Sequence, residues 1–153
     1  MMCGMERIDQ HILTLLAADG RMSYTDIGRA TGLSTSAAQQ RVRRLEQRGI
    51  IVGYHAELSP AALGRTLTAF ISIRALNSRQ DDNIPDILAG LPEITSCFSV
   101  AGDASFLCMV EVSSTSDLDQ LLNRIRHLAS ASTTTTVVLT TYFRDRPLVS
   151  DVT

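Results

Sequence analysis

The chain has 153 residues, 44% of them hydrophobic, with three cysteines and a formal charge of −2. That length holds one domain or two small ones, and no apolar run approaches the ~20 residues that a membrane-spanning helix needs. Cys3, Cys97 and Cys108 form no CxxC pair, which argues against a disulfide framework and a zinc site.

The first residues, MMCGMERID, lack a basic start and an apolar signal core, so the expectation is a protein of the reducing cytoplasm. Cys97 and Cys108 sit among apolar neighbours and read as small core side chains. All 14 basic residues are Arg. Their balance is uneven: residues 1–60 hold seven Arg against six acids, and residues 61–153 hold seven against ten. Arg41, Arg43, Arg44 and Arg48 cluster against the single Glu46. A locally basic segment on a nearly neutral domain suits DNA contacted at few phosphates.

In chain order, Ile8, Ile12, Leu15 and Leu16 recur at helical spacing and predict a helix over 5–18, closed by Asp19-Gly20. Ser23 with Asp26 three residues on is a capping box for a short second helix, with Ile27 and Ala30 inward. Thr31-Gly32 ends it. Ser34 then caps a third helix, which Gly49 stops. Ala38, Val42 and Leu45 form its apolar seam, and the remaining surface carries amide and guanidinium donors. Two short helices joined by a tight Gly-containing turn, the second rich in Arg and Gln, make the helix-turn-helix pattern. Taken alone, the third helix also fits an amphipathic helix with a solvated Arg/Gln face; the helix and turn before it favour DNA. Ser34, Thr35 and Ser36 are expected at phosphate, where the helix dipole favours anions. Gln39, Gln40 and Arg43 are expected at base edges, and Arg41 and Arg44 at the DNA backbone.

Ile50 to Ala56 reads as a short strand, the wing or hinge, and Ser59-Pro60 opens a turn ending at Gly64. The predicted organisation is a helix-turn-helix domain over 1–54, a hinge over 55–64 and a second domain over 65–153. In that second domain, strands are predicted over 66–75, 94–101, 106–112 and 134–143. Helices are predicted from Ile84 to Leu91, with Pro85 in the first turn, and from a Ser116/Asp119 cap to Leu128. NSRQDDN at 77–83 is a polar loop, and Gly102-Asp103-Ala104-Ser105 a hairpin turn. The order β-α-β-β-α-β is the ferredoxin-like pattern. The fold class is α+β: a winged helix-turn-helix followed by a ferredoxin-like βαββαβ domain. One face of its sheet is left without helices. Alternating apolar residues there predict pairing with a second copy.

The string Leu33-Ser34, Arg41-Val42, Arg44-Leu45-Glu46, Gly49-Ile50-Ile51, Gly53-Tyr54, Leu63-Gly64 resembles the DNA-binding half of the Lrp/AsnC, or feast/famine, transcriptional regulators. LPEITSCFSVAGDASFL resembles the hairpin of that family's second domain. The resemblance implies a cytoplasmic, sequence-specific DNA-binding regulator. Its second domains would pair through their sheets, and the dimers would assemble further, often to octamers. A small effector, usually an amino acid, would bind near the hairpin. That implies an effector site at Gly102, Asp103, Ala104 and Ser105, with the hydroxyls of Thr135 and Thr136. Asp103 would take the ammonium group. Relatives commonly carry a second acid where this chain has Ser105, which predicts weaker binding or a less polar ligand. On the residues alone, Gly102-Asp103 reads as a plain turn before it reads as a ligand site, and the Thr133–Thr136 run is equally plain strand propensity.

No catalytic set, metal site or cofactor motif emerges, and the chain is not read as an enzyme. His11, His55 and His127 lie in unrelated elements, and no Gly-x-Ser-x-Gly elbow or phosphate loop is present. Two alternatives remain: a sirohaem-decarboxylase-like enzyme on the same architecture, and an effector-responsive assembly module without DNA binding.

Overall fold

The computed structural model describes residues 5–76 and 83–149. By internal contacts the chain divides into two compact units, one of residues 1–57 with 143–153, the other of residues 58–142.

The first unit is built on α1 (Arg7–Ala18), α2 (Tyr24–Thr31) and α3 (Thr35–Gln47). Ile12 and Leu13 of α1, Ile27 of α2, and Ala38, Val42 and Leu45 of α3 form its core. Met5, Ile8, Leu16, Ile50, Ile51 and Val149 pack around that core. Each fully buried Ile or Leu stabilises by roughly 1.5–3 kcal/mol. The inward residue of the second turn of α2 is Gly28, not the expected Ala30, which is exposed.

Local signals set the helix ends. The Ser23 hydroxyl accepts from the Asp26 N–H at 3.1 Å. It also donates to the Asp26 carboxylate at 2.6 Å, so the box closes side chain to side chain. Ser34 caps α3 by accepting from the Ala37 N–H. Gly49, at φ +67°, ends it. There the Ile50 N–H bonds the Leu45 carbonyl and the Gly49 N–H bonds the Glu46 carbonyl, the paired bonds of a Schellman stop.

Residues 50–56 form no strand. The paired stop turns Ile50 and Ile51 back onto the helical core, so their apolar run packs on the helices and meets no ladder. The Tyr54 hydroxyl donates to Glu46 at 2.9 Å. Burial, then that bond, pushes the Tyr54 phenol up to about 12.

The second unit carries β1 (Leu67–Ala75), α4 (Ile84–Ala89), β2 (Ile94–Ser99), β3 (Phe106–Val112), α5 (Thr115–Ala129) and β4 (Ala131–Val137). The strands run in the order β2-β3-β1-β4, each pair antiparallel, which is the ferredoxin-like sheet. Period-two alternation sends Ala69, Ile71 and Ile73 of β1, and Phe106, Cys108, Val110 and Val112 of β3, to the helix-covered face. Ile84 and Leu88 of α4 and Leu118, Leu121, Leu122 and Ile125 of α5 close that core.

Three expectations here are corrected. Strand β4 spans 131–137, not 134–143, because its ladder with β1 runs from Ala75↔Ala131 to Ala69↔Val137 and stops there. Helix α5 is capped by Ser114, whose hydroxyl accepts from the Asp117 N–H at 3.1 Å, not by Ser116 with Asp119. Cys97 is exposed, because β2 is an edge strand, while Cys108 is buried as expected. Residues 77–82 of the expected polar loop lie outside the described residues.

Candidate nucleic-acid interface and effector cleft

The turn between α2 and α3 is tight. The Leu33 N–H reaches back to the Gly28 carbonyl at 2.8 Å, with Gly32 at φ +72° between them. A Cβ on Gly28 would meet the Leu33 carbonyl oxygen at 2.7 Å, so this close approach of backbone requires glycine. The turn fixes where α3 begins and which face it offers. Thr25 and Thr35 hydroxyls meet across it at 3.4 Å.

At the start of α3, Ser34, Thr35 and Ser36 are all exposed. Ser34 is occupied as the cap and shares a contact of 3.2 Å with the Ser36 hydroxyl. Gln40 and Arg43 are exposed and Gln39 is half-buried, all away from the Ala38/Val42/Leu45 seam.

Arg41 and Arg44 are held differently. Arg41 Nη1 donates to Asp9 Oδ1 at 2.8 Å, and Arg44 Nη2 donates to Asp9 Oδ2 at 2.9 Å. Glu6 flanks the pair, 2.8 Å from Arg41 and 3.8 Å from Arg44. Asp9 is only 1% exposed. Burial by itself raises the Asp9 carboxyl, but the bonds from Arg41 and Arg44 outweigh it and hold the group below its ordinary value. Its bonds to Asp9 and then Glu6 raise Arg41. One carboxylate on α1 thus clamps two guanidiniums on α3. Arg41 is mostly covered, whereas Arg44 keeps 47% of its side chain in solvent.

In the second unit, Gly102–Ser105 borders an open cleft of ≈670 Å³. Gly102, Asp103 and Ala104 line it, together with Ser72, Arg74, Ser132 and Thr134 of β1 and β4. Ser105 lines the adjoining hollow with Pro85. Thr135 is opposite Ile71 on the helix-covered face, and Thr136 pairs with Phe70 further along the sheet. The hydroxyls that β4 brings to the cleft are therefore those of Ser132 and Thr134, beside that of Ser72 on β1.

Arg74 is the residue that spacing alone did not reveal. Its Nε donates to the Asp103 carbonyl at 2.5 Å, and its Nη2 lies 3.7 Å from the Asp103 carboxylate. Both side chains are exposed, so the cleft offers an acid and a guanidinium side by side. The helix-free face carries rows Phe98–Leu107–Ser72–Thr134 and Ser96–Met109–Phe70–Thr136. It is a mixed surface, apolar toward β2 and hydroxyl-rich toward β4, rather than the uniformly alternating apolar one expected. His11, His55 and His127 are exposed and lie in separate elements. Among the described residues no His/Cys/Asp/Glu group is arranged to hold a metal ion. No helix among them is long and apolar enough to cross a membrane.

A helix-turn-helix followed in one chain by a ferredoxin-like domain with an open cleft is the architecture of a two-domain DNA-binding regulator. Residues 5–46 match the AsnC-type helix-turn-helix domain and residues 68–148 the Lrp/AsnC ligand binding domain. The chain belongs to the Lrp/AsnC family of transcriptional regulators.

It is 43% identical to the HTH-type transcriptional regulator LrpA of Mycobacterium tuberculosis over 142 residues, covering 93% of this chain and 95% of that one. It is 36% identical to the leucine-responsive regulatory protein of Escherichia coli over 120 residues, 77% of this chain and 73% of that one. A solved feast or famine regulatory protein from M. tuberculosis, complexed with L-methionine, superposes with a TM-score of 0.89 at 43% identity, covering 94% of this chain and 97% of that one. The curated relatives are named as transcriptional regulators, which points away from an enzyme.

Proposed function

We propose that this regulator reads double-stranded DNA through α3 and that an amino acid bound in the cleft at Gly102–Ser105 modulates the reading. In this assignment residues 1–54 bind DNA, 55–64 act as hinge, and the rest of the second unit, to residue 142, binds effector and assembles. Ser34, Thr35 and Ser36 meet phosphate at the α3 N-terminus. Gln39, Gln40 and Arg43 face base edges. Arg44 turns its solvent-exposed side to the DNA backbone, while Arg41, enclosed by Asp9 and Glu6, orients the helix that the others use. Arg43→Ala lowers operator affinity by ~1–3 kcal/mol and relaxes sequence preference at one base pair.

The observation that carries the effector assignment is the adjacency of Asp103 and Arg74 in one open cleft. A zwitterion inserted there places its ammonium at Asp103 and its carboxylate at Arg74 and the neighbouring hydroxyls, each charge meeting its opposite. The L-methionine held by the solved relative supports the ligand class. Gly102, Ala104 and Ser105 shape the loop; Thr135 and Thr136 lie outside the lining and act on the strand that carries Thr134. The protein works in the cytoplasm, without a metal or prosthetic group. It works as a homo-oligomer whose sheets pair across the helix-free face, the dimers assembling to an octamer.

Calorimetry against the common L-amino acids tests the site. At least one binds, and Asp103→Ala and Arg74→Ala each abolish that binding in protein that keeps its fold. A confirmed amino-acid ligand bound equally well by both variants contradicts the site.

A further inference from the structure

Two thiols face each other across the hairpin that carries the cleft loop. Cys97 of β2 lies directly opposite Cys108 of β3. The Val100 N–H bonds the Ser105 carbonyl at 3.0 Å, which sets the alternation of the ladder. Counting from that bonded pair, 99/106 is non-bonded, 98/107 bonded and 97/108 non-bonded. At such a pair the Cα atoms sit roughly 4.5 Å apart with side chains on one face, inside the roughly 4.4–6.8 Å span of disulfides.

The two sulfurs differ in access. Cys108 is enclosed in the core under α4 and α5. Cys97 is exposed on the edge strand and opens into a hollow beside Pro85 and Leu88. Burial first, then the neighbouring Cys97 thiol, pushes the Cys108 thiol up to about 12, so it stays protonated and offers no thiolate to a metal. An oxidant therefore meets Cys97 first.

We propose that Cys97 and Cys108 are a redox dithiol, which a hydroperoxide oxidises to an intramolecular cross-strand disulfide at the base of the Gly102–Ser105 loop. The Cys97 sulfur attacks one peroxide oxygen and the O–O bond breaks, giving a sulfenic acid and, from hydrogen peroxide, one water. The Cys108 sulfur then attacks the Cys97 sulfur. The S–O bond breaks, the Cys108 proton leaves with the oxygen as a second water, and the S–S bond forms. The two thiols lose two electrons and the peroxide gains them. The placement of Cys97 directly opposite Cys108 offsets the slow release of the Cys108 proton. The cross-link closes a short loop that contains Gly102–Ser105 and narrows the conformations open to it.

The test uses full-length protein carrying Cys3→Ser, which removes the third thiol. It is treated with hydrogen peroxide, unfolded, alkylated and weighed by mass spectrometry. The expected product is a monomeric polypeptide with no alkylatable thiol, lighter by two hydrogens, with peptides joined at Cys97 and Cys108 and both thiols restored by dithiothreitol. Retention of both thiols, a link between two chains, or over-oxidised Cys97 without a link overturns the proposal. In Cys97→Ser on the same background, Cys108 stays alkylatable after peroxide. Its loss at the rate seen in the parent also overturns the proposal.

Discussion

Asp9→Ala removes the clamp between α1 and α3. The carboxylate is buried, and each of its oxygens accepts one guanidinium bond, at 2.8 and 2.9 Å. A hydrogen bond to a charged group contributes about 1.5–3 kcal/mol when enclosed. The Arg side of both bonds reaches solvent, Arg44 by 47%, and Glu6 remains to hold Arg41. Discounting for that screening leaves a loss of about 2–3 kcal/mol. For a three-helix unit within a chain of ordinary stability, about 5–15 kcal/mol, that is a large share. The assay is urea unfolding of the full-length protein, read from helical circular dichroism. Single and paired replacement of Asp9 and Arg41 isolates their coupling.

The pH dependence has a definite sign. A carboxyl held below its ordinary value contributes stability in full above the unfolded value of about 3.9 and loses it as pH falls through the folded value. The difference between wild type and Asp9→Ala is therefore full at neutral pH and shrinks below about pH 4. If Asp9→Ala matches wild type within about 0.5 kcal/mol, a change ordinary for a neutral surface site, and Arg41→Ala loses DNA binding at unchanged stability, the clamp is wrong and Arg41 belongs to the DNA backbone.

Gly28→Ala drives a methyl against the Leu33 carbonyl and costs about 1–3 kcal/mol, visible as a lower urea midpoint. An unchanged midpoint would mean the turn yields freely. Ser114→Ala lowers stability by ~1 kcal/mol through loss of the α5 cap, while Ser116→Ala is near neutral; thermal melts of the two variants separate them, and the reverse order contradicts the cap assignment. Ser105→Asp adds an acid beside Asp103 and tightens binding of an amino acid whose ammonium lies there, measured by calorimetry. Weaker binding would show that Ser105 faces the ligand's carboxylate or side chain.

What the sequence made legible was local. Ser23, Ser34, Gly32 and Gly49 act within a few residues of themselves, and their caps and stops stand where the spacing placed them. The β-branched and apolar composition that predicts β1 and β3 is equally local. The errors arise where two local readings compete or distance intervenes. Ser114/Asp117 and Ser116/Asp119 have the same spacing, and only the packing of Leu118 and Leu121 against the sheet selects the first. The run from Thr133 to Phe143 has strand composition throughout, yet its ladder with β1 stops at Ala69↔Val137, a limit set by the neighbouring strand and not by the run itself. Asp9 lies 32 residues from Arg41, and Arg74 lies 29 from Asp103, so no spacing rule joins them. An apolar helix stripe interrupted by Asp9 was the available signal for the first; an Arg at the end of a β-branched strand was the signal for the second.

The central claim is that α3 reads DNA and that the cleft controls the reading. The most direct measurement is fluorescence anisotropy of the full-length protein on a site selected from genomic DNA fragments, in about 0.15 M salt, with and without the amino acid that calorimetry identifies. The account predicts that the wild type binds the selected site more tightly than a scrambled one and that the amino acid shifts that affinity. Arg43→Ala loses the discrimination, and Asp103→Ala keeps it but no longer responds. Equal affinity for selected and scrambled DNA, or an amino-acid response that persists in Asp103→Ala, would contradict it.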